Sequence, residues 1–175
     1  AANVNFEKAI KVLEEGRKIH ASDGNILLLL SNAYIAAEKL DVAKDAFKEG
    51  VIQEPENKFY RYNYGSLLLN AEEYPEAEVQ LKKAIEIDPD YENALYNLAV
   101  TYVKWGATIR EEAEANETKS EEFKTKFQQA LPLLEKFLTL NEEEGAVWDL
   151  LGKVYANLGM AEKSEQAFKK ADTYK

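Results

Sequence analysis

The sequence has 175 residues and carries 22 Lys and Arg against 32 Asp and Glu, which gives a formal net charge of −10. An acidic chain neutralises few phosphates and is repelled by anionic lipid, so we expect neither a nucleic-acid partner nor docking on an anionic membrane. The chain contains no Cys and one His, which excludes disulfides, a cysteine nucleophile and a thiolate zinc site. Its longest aliphatic run, residues 26–30, is far too short to be a predicted transmembrane helix.

The first predicted element is a helix over residues 4–20. Its Leu13 and Gly16 lie 34 residues before Phe47 and Gly50, so the helix corresponds to the second half of a two-helix repeat without its first half. A repeat buries its apolar face only against its neighbours. We therefore expect the native protein to be longer, at least at the N-terminus. We also expect the face of this orphan helix to be covered by missing residues, a dimer partner or a symmetry mate.

Two complete repeats follow, over residues 24–57 and 58–91. Ala43, Phe47 and Pro55 recur 34 residues later as Ala77, Leu81 and Pro89. Within each segment the apolar residues fall at i, i+3 or i+4 and i+7, which is the period of an α-helix. Because proline disfavours helical conformation in the residue before it, the Glu-Pro and Asp-Pro steps are predicted helix ends. Small residues are predicted where two helices approach closely: Ser31, Gly65, Ala99 and Gly152.

The third repeat, residues 92–144, contains an insertion. Its pattern Leu95, Leu98, Ala99 and Tyr102 recurs only 53 residues later, which exceeds one 34-residue step by 19. Residues 106–125 hold six acidic and three basic side chains and no proline, and they are rich in helix-forming Glu, Ala and Lys. We therefore predict two lengthened helices, about 92–116 and about 119–140, that form a hairpin.

Three further features of the hairpin are predicted. Thr118 and Glu121 have the spacing of a capping box at the start of the second helix. Pro132 lies inside that helix and is expected to kink it. One row of side chains is expected to face the other across the hairpin: Trp105, Ile109 and Ala113 against Phe123, Phe127 and Ala130. The hairpin is interpreted either as a stiff strut with a solvated charged surface or as a docking surface for a partner.

The last repeat, residues 145–175, carries the clearest motif. Its first helix reads Trp148-x₂-Leu151-Gly152-x₂-Tyr155, and Gly159 is the predicted C-cap. With the 34-residue period, the A-x₃-L-x₂-A pattern at Ala77 and the proline at the end of a repeat, the chain resembles the tetratricopeptide repeat (TPR) family. The hairpin and residues 130–136 resemble a bacterial TPR subgroup that includes many exported proteins.

This resemblance implies an all-α fold, a right-handed superhelical solenoid of about nine helices in one domain over residues 1–175. Two positions depart from the TPR pattern without breaking its register. Arg61 stands where a bulky apolar residue is expected, and Glu142 stands where proline is expected.

In TPR proteins the first helix of each pair lines a concave groove that binds peptides or a partner helix. The groove-lining positions, transferred by register, are Asn25, Leu28, Asn32, Phe59, Tyr62, Asn63, Ser66, Asn93, Tyr96, Asn97, Val100 and Lys153. The same register adds Ile35, Leu69, Val103, Asp149 and Asn157. Amide side chains can bond a peptide backbone, and tyrosine adds contact area and a hydroxyl. The alternative is that the tyrosines fill the core between repeats and the asparagines cap backbone groups.

TPR domains that bind the acidic C-termini of heat-shock chaperones use lysine and arginine around asparagine. Asn32 and Asn63 are present at the asparagine positions. The basic positions hold Leu28, Asn93 and Asn97 instead, so a dicarboxylate would find no opposite charge. We therefore expect no binding of chaperone tails.

The sequence predicts a protein or peptide as the partner, and neither an enzyme nor a cofactor or metal site. Its carboxylates occur in helical runs such as Glu142-Glu143-Glu144, and no nucleophile, phosphate-binding or Ca²⁺-loop motif is present. The alternative function is an assembly module that self-associates or docks through the ends of the solenoid and the hairpin. The resemblance at residues 130–136 favours a protein without a membrane span that is exported to the bacterial periplasm or cell envelope.

Overall fold

A computed structural model describes residues 2–20, 24–118 and 120–174. These residues form nine α-helices and no strand, which confirms the all-α fold class. The helices are α1 (Ala2–Ile19), α2 (Gly24–Ala36), α3 (Leu40–Gln53), α4 (Lys58–Asn70), α5 (Tyr74–Ile87), α6 (Glu92–Ala115), α7 (Glu122–Leu140), α8 (Gly145–Asn157) and α9 (Ala161–Thr173). The orphan helix is α1, and the first helices of the four pairs are α2, α4, α6 and α8.

The chain forms two compact units. Unit 1, Ala1–Ile87, contains α1 to α5, and unit 2, Asp88–Lys175, contains α6 to α9. That residues 1–175 act as a single domain stays a prediction.

The core of unit 1 is built from the stripes that the helical period predicts. Four helices contribute the buried side chains Ile10, Leu27, Leu30, Tyr34, Ala43, Ala46, Phe47, Tyr60 and Leu67. Phe47 and Tyr60 are fully buried, and their rings meet edge to face with centroids 6.3 Å apart. The removal of this apolar surface from water stabilises a set of helices that would be marginal alone.

Close helix approach is confirmed at two of the predicted small residues, Gly65 and Gly152. A Cβ on Gly65 would lie 2.7 Å from Leu81 Cγ, and a Cβ on Gly152 would lie 2.7 Å from the Phe168 ring. Ser31 is fully buried and its hydroxyl donates to the carbonyl of Leu27 at 2.7 Å, so the polar atom is satisfied inside its own helix.

The helix ends follow the turn residues. α3 and α5 end at Gln53 and Ile87, each two residues before a proline, as predicted. The C-cap of α8 is Leu158, and the predicted glycine, Gly159, follows it in the left-handed conformation with a φ of +74°. The turns that follow α2, α4 and α6 use glutamates in the left-handed region instead: Glu38 (φ 59°), Glu72 (φ 60°) and Glu117 (φ 53°). Glu38 and Glu72 stand 34 residues apart, at the register position that Gly159 occupies in the last repeat, whereas Glu117 lies in the insertion.

The two departures from the TPR pattern have local explanations. Arg61 donates from Nε to the Pro55 carbonyl at 3.0 Å and from its guanidinium to Gln80 Oε1 at 2.8 Å, so it joins α4 to α5 by hydrogen bonds. The Glu142 carbonyl accepts a bond from Trp148 Nε1 at 2.8 Å. The hydrogen bond from Lys170 lowers the pKa of the Glu142 carboxyl.

The lengthened hairpin is confirmed. α6 has 24 residues and α7 has 19. A Cβ on Gly106 would lie 3.1 Å from the Phe123 carbonyl oxygen, so α6 and α7 pack closely there. Lys126 Nζ lies 3.2 Å from the centroid of the Trp105 ring. Phe127 is only 2% exposed, so the hairpin has a buried core of its own. Pro132 lies inside α7, and the kink stays a prediction.

The capping-box interpretation of Thr118 was wrong. The Thr118 backbone N–H and hydroxyl both donate to the Ala113 carbonyl, at 2.8 and 3.2 Å, so this residue closes the end of α6. The reason is the left-handed Glu117 before it, which turns the chain back toward the last carbonyls of the helix. α7 begins at Glu122, whose N–H donates to Ser120 Oγ at 3.3 Å, and the predicted start at Lys119 lies outside the described residues.

A tyrosine–glutamate hydrogen bond occurs in each unit. Tyr34 of α2 donates to Glu14 Oε1 of α1 at 2.7 Å, and Tyr155 of α8 donates to Glu135 Oε1 of α7 at 2.9 Å. The partners are 20 residues apart in both cases, so the bond belongs to the repeat register. Burial, followed by the bond to glutamate, raises the pKa of both phenols to about 12.

We expect alkaline pH to destabilise the fold through these two phenols. Their folded pKa lies above the unfolded value of about 10, so their contribution is complete below pH ~10 and falls as the pH rises toward 12. Urea unfolding at pH steps from 8 to 12 measures this. The double variant Tyr34→Phe/Tyr155→Phe should be less stable at pH 8 by about 1–3 kcal/mol and should lose stability less steeply above pH ~10. An unchanged slope in the variant would contradict the assignment.

Candidate peptide-binding surfaces

The twelve predicted groove residues all lie on first helices. Exposed among them are Asn25, Asn32, Phe59, Asn93 and Lys153; partly buried are Leu28, Tyr62, Asn63, Ser66, Tyr96, Asn97 and Val100. None is fully buried, so each reaches solvent in its own unit. Leu69, which the register also assigned to the groove, is only 5% exposed, and that assignment was wrong. It follows Leu67 and Leu68 into the core because the last turn of α4 is apolar on more than one face.

We call the seven predicted residues on α2 and α4 the unit 1 face. Its polar side chains partly bond their own helix: Asn63 Nδ2 donates to the Phe59 carbonyl and the Ser66 hydroxyl to the Tyr62 carbonyl, each at 2.8 Å. The asparagine oxygen and the second amide hydrogen add further bonding capacity. Phe59 is 47% exposed, with Lys58 Nζ 5.3 Å from its ring centroid. The unit 1 face therefore combines an accessible aromatic ring with amides.

We call the five predicted residues on α6 and α8 the unit 2 face. The Tyr96 ring packs against the buried Phe137 of α7, with centroids 6.3 Å apart and planes at 59°. Lys153 pairs with Asp149 at 2.5 Å. The packing on Phe137 restricts the tyrosine ring, so little side-chain entropy is lost if a ligand contacts it.

One contact of the insertion reaches the last pair of helices. Arg110, in the added part of α6, donates to Asn157 Oδ1 at the end of α8 at 2.6 Å. The two residues are 47 positions apart, and no periodic signal connects them. The bond holds the added turn of α6 beside α8, which favours the interpretation of the hairpin as a strut.

A cleft of about 340 Å³ lies within unit 2, and we call it the α6–α8 cleft. Its lining residues are Glu92, Asn93, Tyr96, Phe137, Asn141, Glu144, Ala146 and Val147. The cleft brings together Asn93 and Tyr96, which were predicted, with six residues that were not. The feature of the sequence that could have indicated this cleft is Phe137. By register it stands where the other repeats have Gly50, Ala84 and Ala171. A large ring at this small-residue position contacts Tyr96 of the first helix and lines the cleft.

Two of the cavities in unit 1 are larger than the α6–α8 cleft. One, of about 550 Å³, follows the turn between α3 and α4 and is lined by Glu54, Pro55, Glu56, Asn57, Lys58, Phe59 and Ile87. The other, of about 470 Å³, is lined by residues of α1 to α3, among which Tyr34 bonds Glu14 and Arg17 pairs with Glu49. Among the described residues no group of three or more His, Cys, Asp or Glu is placed to hold a metal ion.

Residues 27–172 match the family described as the middle TPR-like domain of cilia and flagella-associated protein 70. The chain belongs to this TPR-like family. The match covers most of the sequence, with α4, α6 and α8 complete and α2 from Leu27 onward, which confirms the assignment made from the 34-residue period and the Trp148 motif. The TPR-like fold supports a role as a protein-interaction or assembly scaffold.

Solved structures of MamA share the fold. One crystal structure of MamA superposes with a TM-score of 0.82 at 21% identity, covering 97% of this chain and 88% of that one. MamA AMB-1 gives 0.79 at 22% identity, with 97% and 89% covered. MamA from Desulfovibrio magneticus RS-1, residue 41 to the end, gives 0.79 at 18% identity, with 97% and 85% covered. At these identities the likeness concerns the TPR-like fold alone.

A comparison with curated proteins gave no match. Over the part of the chain that the structure describes, no helix combines the length and apolarity needed to cross a membrane.

Proposed function

We propose that this chain is a non-enzymatic scaffold that binds an extended peptide or a partner helix on the first-helix faces of its TPR-like pairs. The observation that carries the proposal is that these helices have one buried face and one accessible face. On α4, Gly65 and Leu68 are buried while Tyr62 and Ser66, one turn away, remain accessible. A face that the fold does not need for its own core is available to a ligand.

The chemistry of both faces suits a peptide. Tyrosine rings are frequent binding hot spots because they bring a large rigid area and a hydroxyl. Tyr62 on the unit 1 face and Tyr96 on the unit 2 face supply such rings, beside Asn63 and Asn97. Asparagine amides can bond a peptide backbone of any sequence.

An acidic chaperone tail is a poor candidate for this surface. Leu28, Asn93 and Asn97 stand on accessible positions where a carboxylate-binding TPR groove would present cations. A carboxylate there would lose water without gaining a charged partner.

The test is a selection from a random 12-residue phage-displayed library against the immobilised chain, followed by anisotropy titration of the synthesised binders. The double variant Tyr62→Ala/Tyr96→Ala should weaken binding at least about tenfold, since truncated hot-spot tyrosines lose about 1–2 kcal/mol each. Tyr174→Ala is the control, because Tyr174 follows the second helix α9 and should leave binding unchanged. A selection without binders, or equal affinities for all three proteins, would reject the proposal.

A second function is favoured by α1. Val12 and Ile19 are 66% and 76% exposed and lie two helical turns apart on one face. Self-association through this face is the assembly alternative. Sedimentation of the same preparations distinguishes the two, since a mass that rises with protein concentration and falls with Val12→Ser/Ile19→Ser favours assembly. The envelope location indicated by residues 130–136 stays a prediction.

A further inference from the structure

The α6–α8 cleft has an apolar floor and an acidic rim. Phe137 and Val147 are 7% and 2% exposed, and Tyr96 packs on Phe137, so three apolar surfaces meet at the bottom. Glu92, at the start of α6, and Glu144, just before α8, also line the cleft. The volume of about 340 Å³ is at the lower end for ligand sites, which suits one long side chain.

The charge of the cleft is not neutralised from within. No lysine or arginine lines it. Two lysines beside lining residues are engaged elsewhere: Lys136, next to Phe137 in the chain, pairs with Asp90 at 2.6 Å, and Lys170 pairs with Glu142, next to Asn141, at 2.8 Å. Within the described residues neither Glu92 nor Glu144 has an ion-pair partner. The N-terminus of a helix carries a partial positive charge of about half a unit, which neutralises only part of one carboxylate. The rim of the cleft therefore keeps a net negative charge.

We propose that the α6–α8 cleft takes a lysine or arginine side chain of a bound peptide. The aliphatic stem would lie on Phe137 and Val147, and the cationic end would lie between Glu92 and Glu144, beside the Tyr96 ring. This inference rests on the proposed peptide-binding function and names the residue class that the unit 2 face selects. The other charge classes fit worse, because an acidic side chain would meet two like charges and an apolar one would bury carboxylates without a partner.

The peptide backbone has polar partners at the edge of the same cleft. Asn93 is exposed on α6 and Asn141 is half-buried after α7. Their amides flank the aromatic floor and can hold a peptide backbone while the side chain enters. The Tyr96 face adds a cation–π contact, which is strongest where water is excluded.

The test uses the full ¹⁵N-labelled chain and three small probes: the N-acetyl methylamides of lysine, norleucine and glutamate. The lysine probe should shift the backbone resonances of Asn93, Tyr96 and Val147 in a saturable way. Norleucine should bind more weakly, and glutamate should shift none of them. Glu92→Gln/Glu144→Gln keeps the shape of both side chains and should weaken lysine binding about tenfold.

The matched control is Glu111→Gln/Glu112→Gln. It removes the same two charges from exposed positions on the α6 extension and should leave the lysine affinity unchanged. The inference is overturned if norleucine binds as well as lysine, if the cleft variant binds lysine as tightly as the control, or if no cleft resonance moves. If one of these results is found while library peptides still bind in a tyrosine-dependent way, only the lysine inference fails and the proposed function stands. A library selection that yields no binder would reject the proposed function itself.

Discussion

Phe127→Ala is expected to lower the free energy of unfolding of unit 2 by about 3–5 kcal/mol. Phe127 is 2% exposed, and its ring meets Phe123 edge to face with centroids 6.2 Å apart. It also lies against Gly106, where an added Cβ would come within 3.3 Å of the ring. Alanine would leave a cavity between two long helices whose close backbone approach prevents either from collapsing into it.

The measurement is urea denaturation followed by tryptophan fluorescence. Both tryptophans, Trp105 and Trp148, lie in unit 2, so the signal reports on that unit alone. Leu140→Ala is the control, because Leu140 lies on the same helix of unit 2, is 38% exposed, and its truncation should change stability by less than about 1 kcal/mol. An unfolding midpoint for Phe127→Ala equal to that of Leu140→Ala would show that the hairpin lacks a packed core.

Gly50→Ala, which adds a single methyl group, is expected to destabilise unit 1 more than the addition of a methyl group at any other position of that unit. A Cβ on Gly50 would lie 2.3 Å from the ring of Tyr60 and 2.8 Å from its Cγ. Tyr60 is fully buried, so its ring has no open space to enter. Separating α3 from α4 or displacing the ring would reduce stability by about 2–3 kcal/mol, even though alanine is the better helix former.

Gly16→Ala is the matched comparison, since Gly16 lies one repeat earlier on α1. A Cβ there would meet only Ile26 at 3.7 Å, an ordinary contact. This variant should gain about 0.5–1 kcal/mol from helix propensity. Far-UV circular dichroism in urea measures both variants. Equal shifts in the same direction would refute the proposed contact between Gly50 and Tyr60.

The helices could be predicted from the sequence because the apolar residues that form their buried faces recur with a regular period. The proline stops place the ends of α3 and α5 to within a residue or two, and α6 ends at Ala115 against a predicted 116. Features that depend on one contact were not predictable in this way. The bond from Arg110 to Asn157 joins residues without a common period, and the Thr118 spacing fitted a helix start as well as the helix end that it forms.

The candidate site, like the fold, could be predicted only where its residues follow the repeat period. The register located the accessible residues Tyr62 and Tyr96, because groove positions follow from helix phase. It missed the α6–α8 cleft, since a cleft depends on side-chain volume as well as phase. Phe137 fills space that Gly50, Ala84 and Ala171 leave empty at the same register position. Leu69 failed for a related reason, since α4 turns three consecutive leucines toward the core.

The order of helix packing within each unit bears on how the chain acquires its structure. In unit 1 the extensive helix contacts run from α1 to α2, α3, α4 and α5 in turn, and in unit 2 from α6 to α7, α8 and α9. Contacts between consecutive helices close short loops, which favours fast folding. Each helix can therefore dock on the one synthesised just before it while the ribosome is still extending the chain. The α6–α7 hairpin would be the first part of unit 2 to emerge complete.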